Sequence, residues 1–186
     1  MSETKQAILK LIMEQGYERR EEAFKLSSGE WSRDYIDAKR AISDGDGLKL
    51  AGEALNELAQ DAGADFEAVG GLTMGADALA HAVSILSGAK WFSVRKEAKS
   101  HGQRRLIEGA ELKPGMRVFL LDDVISTGAS ILKALDAVAE DQVEVCLATS
   151  LVDRGKTAKA ALESRGLLYR PLLTFGDLGI DPIGVN

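Results

Sequence analysis

The sequence has little cysteine, no long hydrophobic run and a deficit of positive charge. A single cysteine, Cys146, stands among its 186 residues, which excludes an internal disulfide and indicates a reducing compartment. The apolar runs fall well short of the ~18 residues that a membrane-spanning helix requires. The first residues also lack the layout of a signal peptide. These absences predict a cytoplasmic protein with no membrane partner.

Positive charge is scarce overall but concentrated in one segment. The net charge of −6 and the pI of about 5.1 argue against a nucleic-acid partner, because such proteins present a basic surface. Within residues 95–105, however, Glu97 is the one acidic residue. The basic residues of that segment are Arg95, Lys96, Lys99, Arg104 and Arg105. If the protein binds an anion, this segment is the expected place.

Hydrophobic spacing predicts an α/β fold in a single domain that comprises residues 1–186. Helical periodicity appears in four segments, at 7–12, 48–58, 79–86 and 132–138. Short apolar runs predict strands covered on both faces, at 66–69, 90–94, 117–121, 143–147 and 167–174. The alternation of the two patterns predicts a mainly parallel sheet. The polar stretch 95–115 has no clear period and predicts a long loop.

The stretch RVFLLDDVISTGASILKAL, residues 117–135, carries the strongest functional signal. Its predicted strand ends at Asp122 and Asp123, and open α/β sheets bind ligands at such strand ends. Residues 126–130 are small or hydroxylated and precede a helix, an arrangement that can bind phosphate through backbone N–H groups. Carboxylates beside a phosphate site suit a sugar phosphate. The alternative is a solvated acidic pair followed by a turn with Ser130 as helix N-cap.

The segment VFLLDDVISTGAS resembles the signature with which type I phosphoribosyltransferases bind phosphoribosyl pyrophosphate (PRPP). The resemblance implies that family's fold, a mainly parallel twisted sheet flanked by helices, with a small hood formed by about residues 1–40 and the C-terminal end. It implies that the two aspartates approach the ribose hydroxyls and that residues 126–130 surround the 5-phosphate. The implied PRPP contacts in this segment are Asp122, Asp123, Val124, Ile125, Ser126, Thr127, Gly128, Ala129 and Ser130.

Three further stretches resemble orotate phosphoribosyltransferases, in that family's order along the chain. FKLSSGEWSRDYIDAKR (24–40) resembles the segment F-x-L-x-S-G-x-x-S-x-x-Y-x-D, which forms part of the hood over the base. SVRKEAKSHGQRRLIEG (93–109) matches the catalytic-loop pattern R-K-x-x-K-x-H-G. LVDRGKTAKAALESRG (151–166) resembles the V-D-R stretch, in which Arg154 would hold the orotate carboxylate. Ser126 is the second implied orotate contact.

The resemblance also implies a reaction and an assembly. Orotate and PRPP would give orotidine 5′-monophosphate and pyrophosphate, with Mg²⁺ held mainly by substrate and water. Lys99 and His101 would close over the pyrophosphate as catalytic residues, and Asp123 is the third catalytic candidate. Arg95, Lys99 and His101 would contact PRPP in the neighbouring subunit, whereas Lys96 would contact PRPP in its own. A homodimer is therefore expected.

Some positions depart from the pattern, and other functions stay open. Certain family members have lysine where Ser27 stands, and lysine where Met74 stands in GGLTMGAD (70–77), which resembles the pyrophosphate loop. A purine phosphoribosyltransferase would share the acidic signature but should lack the 93–109 loop pattern. A regulatory protein could bind PRPP without turnover. Arg154 and Asp153 could also form a simple surface ion pair.

Overall fold

The computed structural model describes residues 1–26, 29–97 and 106–184. Its helices are α1 (Glu3–Leu11, followed by a π-helical turn at Ile12–Gly16), α2 (Ala38–Ala41), α3 (Gly45–Asp61), α4 (Asp77–Ser87), α5 (Ala129–Ala139), α6 (Ala158–Glu163) and α7 (Phe175–Leu178). Its strands are β1 (Tyr17–Lys25), β2 (Trp31–Ile36), β3 (Ala68–Leu72), β4 (Lys90–Val94), β5 (Ile107–Gly109), β6 (Arg117–Ile125), β7 (Glu144–Asp153) and β8 (Leu173–Thr174). Within these ranges no helix combines the length and the apolar character needed to cross a bilayer.

The main sheet has, in the part of the chain described, six strands in the order β5-β4-β3-β6-β7-β8. Neighbours from β4 to β8 pair in parallel, and β5 pairs antiparallel with β4. The predicted mainly parallel α/β sheet is confirmed. The chain forms β4 on one side of β3 and later returns to form β6 on the other side. The carboxyl ends of β3 and β6 therefore border the crevice where ligands bind in sheets of this kind.

Strand β6 supports the site because both of its faces are buried. Phe119 and Leu121 pack into an apolar cluster with residues of α1, α3 and α4. Val118 and Leu120 pack into a second cluster with residues of α5 and α6. Each buried side chain of this size contributes roughly 1.5–3 kcal/mol of hydrophobic stabilisation. A strand covered on both faces explains why the sequence shows a continuous apolar run instead of alternation.

Strands β6 and β7 run further than the sequence predicted. The predicted end of β6 was Leu121, before the acidic pair, but the strand continues to Ile125. Strand β7 likewise continues to Asp153. The cause is pairing between the two strands, in which Asp122 lies opposite Ser150 and Ile125 lies opposite Asp153. Because the ladder satisfies the backbone groups, charged residues can stay within the strand.

Two other predicted strands are displaced or shortened. The glycines after the run 66–69 belong to β3, which extends the strand beyond its predicted end. A Cβ at Gly70 would come within 2.2 Å of the Phe92 carbonyl oxygen. The strands approach so closely there that glycine is needed. The run 167–174 contributes only Leu173–Thr174 and an isolated bridge at Tyr169. The backbone still stays beside β7 around Pro171, since the N–H of Arg170 donates to the Ala148 carbonyl at 3.1 Å and the N–H of Leu172 donates to the Ser150 carbonyl at 2.9 Å.

The polar segment 95–115 was predicted as one loop, which is wrong for its second half. Residues Ile107–Gly109 form β5 against β4, and Leu112 is buried in the second apolar cluster. A strand of three residues is too short to show a periodicity in sequence. Residues 98–105, which include Lys99 and His101, lie outside the described residues.

Strands β1 and β2 form a separate antiparallel ribbon, two-stranded as far as the described chain shows. Phe24 and Tyr35 make an edge-to-face contact with ring centroids 5.6 Å apart. On the face of β2 that points away from Tyr35, Ser32 and Asp34 are buried. The ribbon thus has aromatic packing of its own and places polar groups of β2 in the interior. Its assignment to a hood stays a prediction.

Candidate active site

The acidic pair lies inside β6, where Asp122 is 5% and Asp123 is 9% exposed. This burial contradicts the interpretation of a solvated pair. Asp122 Oδ1 accepts the N–H of Asp123 at 2.9 Å, and Asp123 Oδ1 accepts the N–H of Val124 at 2.8 Å. Asp123 Oδ2 accepts a hydrogen bond from Lys39 Nζ at 2.5 Å. Carboxylates tied to the backbone in this way present oriented oxygens to the hydroxyl groups of a ligand.

Burial also affects the protonation of Asp122. Burial, together with the negative charge of Asp123 and against a hydrogen bond from Ser130, raises the pKa of Asp122 to about 7. Burial lowers the pKa of Lys39, but its hydrogen bond to Asp123 and the charges of nearby carboxylates outweigh burial and raise that pKa overall. Asp122 is thus partly protonated near neutral pH, so its charge depends on what binds beside it.

Residues 124–130 line a cavity of about 180 Å³ at the end of β6. The chain turns into α5 at Gly128, whose φ of +80° is a conformation that glycine adopts without strain. Gly128 occupies the N-cap position and provides no side-chain cap. The alternative interpretation, in which Ser130 is the N-cap, is therefore wrong, and that residue lies in the first turn. The N–H groups of this turn and the positive end of the helix dipole suit a phosphate.

The predicted phosphate contacts differ in exposure. Gly128 is buried, Ser126 and Ser130 are half-buried, and Thr127 and Ala129 are exposed. Where a loop bends over a ligand, the backbone of the loop faces the ligand and its side chains face solvent. Exposed and buried positions are therefore expected next to one another. The stretch is thus built to bind through its backbone more than through its side chains.

The loop after β3 is held in place by Asp77, the first residue of α4. Thr73 Oγ1 donates to Asp77 Oδ2 at 2.7 Å, and Ser93 Oγ donates to Asp77 Oδ1 at 2.5 Å. One carboxylate thereby links the loop to β4. Met74 is 70% exposed, and the Thr73–Met74 peptide is cis. Of the two departures from the family pattern, Met74 thus lies on this loop, while Ser27 is outside the described residues.

Gly75 brings the backbone of this loop against the acidic pair. A Cβ at Gly75 would come within 2.1 Å of Asp122 Oδ1 and 2.6 Å of Asp123 Oδ1. Both distances are shorter than any ordinary contact, and the carboxylates are fixed by backbone hydrogen bonds. Only glycine fits here without displacing them. The loop that resembles the pyrophosphate loop and the acidic pair are therefore direct neighbours.

Arg154 follows β7 and is 4% exposed. Its Nη2 donates to Ser32 Oγ at 2.9 Å and to the Asp34 carbonyl at 2.7 Å, whereas its buried Nε has no hydrogen-bond partner among the described residues. Burial lowers the pKa of Arg154, and the charge of Asp34 opposes that shift. The surface ion pair with Asp153 is wrong, since that carboxylate is also buried and accepts from Tyr169 Oη at 3.1 Å. An unpartnered buried donor indicates an acceptor supplied by a ligand.

Asp34 connects Arg154 to the ribbon. Its carbonyl accepts from the guanidinium, and its carboxylate accepts from Tyr17 Oη at 2.8 Å and from Arg19 Nη1 at 3.0 Å. Burial and the hydrogen bond to Asp34 raise the pKa of Tyr17, so its hydroxyl stays a donor. Residues of β1 thus fix the carboxylate of Asp34, and Arg154 fixes its carbonyl group.

The acidic stretch and Arg154 are joined through their backbones. The N–H of Arg154 donates to the Ile125 carbonyl at 2.9 Å. A Cβ at Gly155 would come within 1.6 Å of the Ser126 carbonyl oxygen, so the two chain segments touch. The structure therefore brings together the two predicted orotate contacts, Ser126 and Arg154, at adjacent strand ends.

The described residues of the basic segment make contacts within this chain. Arg95 Nη1 lies 3.3 Å from Glu108 Oε1 in β5, and the backbone N–H of Arg95 donates to the Leu106 carbonyl at 2.8 Å. The Lys96 carbonyl accepts from Lys133 Nζ of α5 at 2.7 Å. These contacts place the start of the segment at the end of β4. The roles predicted for Arg95, Lys96, Lys99 and His101 stay predictions.

Three polar residues of this region were not singled out from the sequence. Lys39 bonds Asp123 across a separation of 84 residues, a distance over which no local pattern exists. Ser32 occupies the second serine of the 24–40 motif, which was a usable signal, but its contact with Arg154 is not local either. Asp34 is not a fixed position of the 24–40 motif, so no pattern in the sequence indicated its contacts.

Comparison with known proteins identifies the family. The phosphoribosyl transferase domain model matches residues 44–165. An orotate phosphoribosyltransferase of Aquifex aeolicus is 42% identical over 163 residues, which cover 85% of this chain and 87% of that protein. The structure of the Mycobacterium tuberculosis H37Rv orotate phosphoribosyltransferase in complex with PRPP has a TM-score of 0.78 and 35% identity, and covers 95% of this chain and 99% of that one. The orotate phosphoribosyltransferase structure from Aeropyrum pernix has a TM-score of 0.76 and 29% identity, with 94% of each chain covered. With such identity over most of both sequences, the chain belongs to the orotate phosphoribosyltransferase family.

Proposed function

We propose that this protein transfers the 5-phosphoribosyl group of PRPP to orotate, giving orotidine 5′-monophosphate and pyrophosphate in the synthesis of pyrimidine nucleotides. The observation that carries the proposal is a buried arginine with an unpartnered Nε, one strand away from a buried acidic pair. A carboxylated base and a ribose phosphate are the ligands that such a pair of adjacent groups would bind.

The acidic pair and the stretch after it would hold PRPP. Asp122 and Asp123 are expected to accept hydrogen bonds from the ribose hydroxyls, because each has one oxygen fixed by a backbone N–H. The backbone N–H groups of residues 126–130 are expected to bind the 5-phosphate in the cavity beside α5. The loop of Gly75 would meet the pyrophosphate, since it touches the same carboxylates.

The chemistry requires charge to be stabilised at two places. The bond between ribose C1 and the pyrophosphate oxygen breaks with its electrons passing to pyrophosphate, and orotate N1 forms the new bond to C1 as the N1 proton passes to water. Positive charge develops on the ribose, and the buried carboxylates of Asp122 and Asp123 favour it. Preorganised groups stabilise such charge most effectively where water is excluded, and no covalent enzyme intermediate is needed.

Arg154 would select the base. Its guanidinium is already oriented by Ser32 and Asp34, so its Nε can donate to the orotate carboxylate with little further ordering. Uracil and hypoxanthine lack that carboxylate and would leave the buried Nε unpaired, which costs about 1–3 kcal/mol. Discrimination against them is therefore expected from this one residue.

Magnesium fits the site as a metal carried by the substrate. No group of three or more metal-ligating side chains occurs among the described residues, so a cage made by the protein alone is not expected there. Bound to pyrophosphate, ribose oxygens and water, Mg²⁺ would neutralise charge on the leaving group. The role of this chain is to orient those oxygens through Asp122, Asp123 and the Gly75 loop.

The basic segment would complete the site in a homodimer. By family resemblance Arg95, Lys99 and His101 reach the partner's pyrophosphate, and Lys96 acts in its own subunit. A Lys99→Ala variant is expected to lose about 2–4 kcal/mol of transition-state stabilisation, measured as kcat at saturating substrates. A near-normal kcat in that variant would show that the loop assignment is wrong.

The half-buried thiol of Cys146 and the absence of other cysteines suit the cytoplasm.

The direct test follows orotate absorbance when the purified protein is mixed with PRPP and Mg²⁺, with uracil and hypoxanthine in parallel. Consumption of orotate alone, lost when Mg²⁺ is omitted, is the expected result. Consumption of hypoxanthine would favour a purine enzyme. Binding of PRPP without turnover of any base would favour a regulatory protein and overturn the proposal.

A further inference from the structure

Lys39 makes a contact with the acidic pair that neither the motifs nor the mechanism above assigns. It lies in α2, outside the main sheet, and its Nζ reaches Asp123 Oδ2 at 2.5 Å. The other oxygen of Asp123 accepts the N–H of Val124. Lys39 therefore occupies the oxygen through which Asp123 would meet a ribose hydroxyl.

The position of Lys39 is built by its surroundings. Asp37 caps α2 by accepting the N–H of Arg40 at 3.1 Å, and its own N–H donates to the Gly16 carbonyl at 2.8 Å. Ala38 and Ala41 are fully buried on the inner side of this short helix. The Lys39 side chain is 52% exposed, so it leaves the helix toward solvent and bends back to the carboxylate. A half-exposed lysine directed at a buried carboxylate forms a partly desolvated ion pair, stronger than a surface pair.

The charges around this pair explain what the lysine supplies. The groups that act on Lys39 are the carboxylates of Asp37, Asp122 and Asp123. Asp122 also receives a hydrogen bond from Ser130, and Tyr169, which donates to Asp153, lies within its electrostatic reach. Two buried carboxylates side by side repel one another, and an opposite charge in contact favours their ionised forms. Among the described residues, Lys39 forms an ion pair with this acidic pair, through Asp123.

We propose that Lys39 is a positioning residue for PRPP, which holds the carboxylate of Asp123 in the orientation that accepts the ribose hydroxyls. The inference rests on the proposed function. An ammonium group has three donors, and a carboxylate oxygen accepts more than one hydrogen bond. Lys39 can therefore stay bound to Asp123 while the ribose shares the same oxygen. Its effect passes through Asp123 and not through the base.

Kinetics of Lys39→Met test this role, with Arg40→Met as the matched control because it removes the neighbouring cation of the same helix. Lys39→Met is expected to raise the KM for PRPP about tenfold, as for a lost charge-assisted hydrogen bond, with the KM for orotate unchanged. The acidic limb of the pH profile of kcat/KM for PRPP should move to higher pH, because the variant loses a positive charge near Asp122, whose pKa is already raised by burial. Lys39→Arg should restore most of the affinity, and Arg40→Met should behave like the wild type. An unchanged KM for PRPP together with an unchanged pH profile would overturn the proposal.

A measurement without substrate separates this inference from the proposed function. The carboxyl ¹³C chemical shift of Asp122, followed against pH in the ligand-free protein, should titrate at higher pH in Lys39→Met than in the wild type. If it does while no base is turned over, the proposed function fails and the ion pair stands. If it titrates identically in the two proteins, the positioning role fails even when orotate is consumed. Lys39→Gln gives a second neutral variant should Lys39→Met have a lowered Tm.

Discussion

The two halves of the site are built in opposite ways. The ribose-phosphate half is one continuous stretch, from the acidic pair of β6 to the first turn of α5. The base half is assembled from distant segments, because Arg154 contacts Ser32 and Asp34, which precede it by 122 and 120 residues. The first half is therefore specified by local sequence, and the second depends on how the ribbon docks on the sheet.

The halves also differ in electrostatics. The ribose half holds two buried carboxylates with Lys39 against them, so it has an excess of negative charge. The base half holds one buried cation whose partners are a hydroxyl and a carbonyl, with Nε unpartnered among the described residues. The hydroxyl groups of a ribose fit the first environment, and a carboxylate fits the second. Substitutions in one half should therefore leave binding in the other intact.

The largest effect is expected from Arg154→Met. The orotate carboxylate would lose its cation, and Ser32 and Asp34 would lose their donor, so kcat/KM for orotate should fall about 10³-fold, or about 4 kcal/mol. Calorimetry should show PRPP affinity close to that of the wild type. Arg165→Met is the control, because Arg165 is exposed and pairs with Asp136 at 2.6 Å on the surface. An equal loss of PRPP affinity in Arg154→Met would mean that the halves are not independent.

A somewhat smaller effect, confined to the ribose half, is expected from Gly75→Ala. The added Cβ would collide with both carboxylates, so PRPP affinity should fall about 100-fold, or about 3 kcal/mol, as measured by calorimetry. Gly45→Ala is the matched control, since a Cβ at Gly45 meets no atom within 4 Å. PRPP binding at wild-type strength in Gly75→Ala would contradict the close approach of this loop to the acidic pair.

The charge excess of the ribose half predicts a dependence of stability on pH. The pKa of Asp122 is about 7 in the folded protein, against an ordinary value of 3.8, so the folded state binds the proton more tightly than the unfolded state. Its contribution to stability is therefore complete below about pH 4 and is lost as the pH rises through about 7. Asp122→Asn should gain stability over the wild type as the pH increases, on the order of 2 kcal/mol at pH 8. Denaturant unfolding at pH 5 and pH 8 measures this, and an equal difference at both values would refute it.

The smallest effect is expected from Asp34→Asn, which tests whether the ribbon tunes the base half. The amide keeps the shape of the side chain but loses the ion pair with Arg19 and the negative charge near Arg154. The KM for orotate should rise about fivefold, near 1 kcal/mol, with the KM for PRPP unchanged. Asp136→Asn removes a surface ion pair of the same kind and should have no effect on either KM.

The success and failure of the sequence predictions follow the same division. The helices α3, α4 and α5 and the apolar centre of β6 were predictable, because periodicity and burial repeat over neighbouring residues. The ends of β6 and β7 were not, since pairing with the adjacent strand extends both beyond the first charged residues. The alternative with Ser130 as the N-cap of α5 is wrong, because Gly128, with its positive φ, occupies that position.

The sequence by itself determined the α/β class, the location of the proposed phosphate site after β6, and the family resemblance carried by four ordered motifs. Each of these rests on residues that are close together in the chain. Only the tertiary structure decided that Lys39 meets Asp123, that Gly75 lies against the acidic pair and that Arg154 is buried against β2. The physical reason is that such contacts depend on where sheet and ribbon bring separate segments together, and the energy of a buried charge depends on all the groups around it.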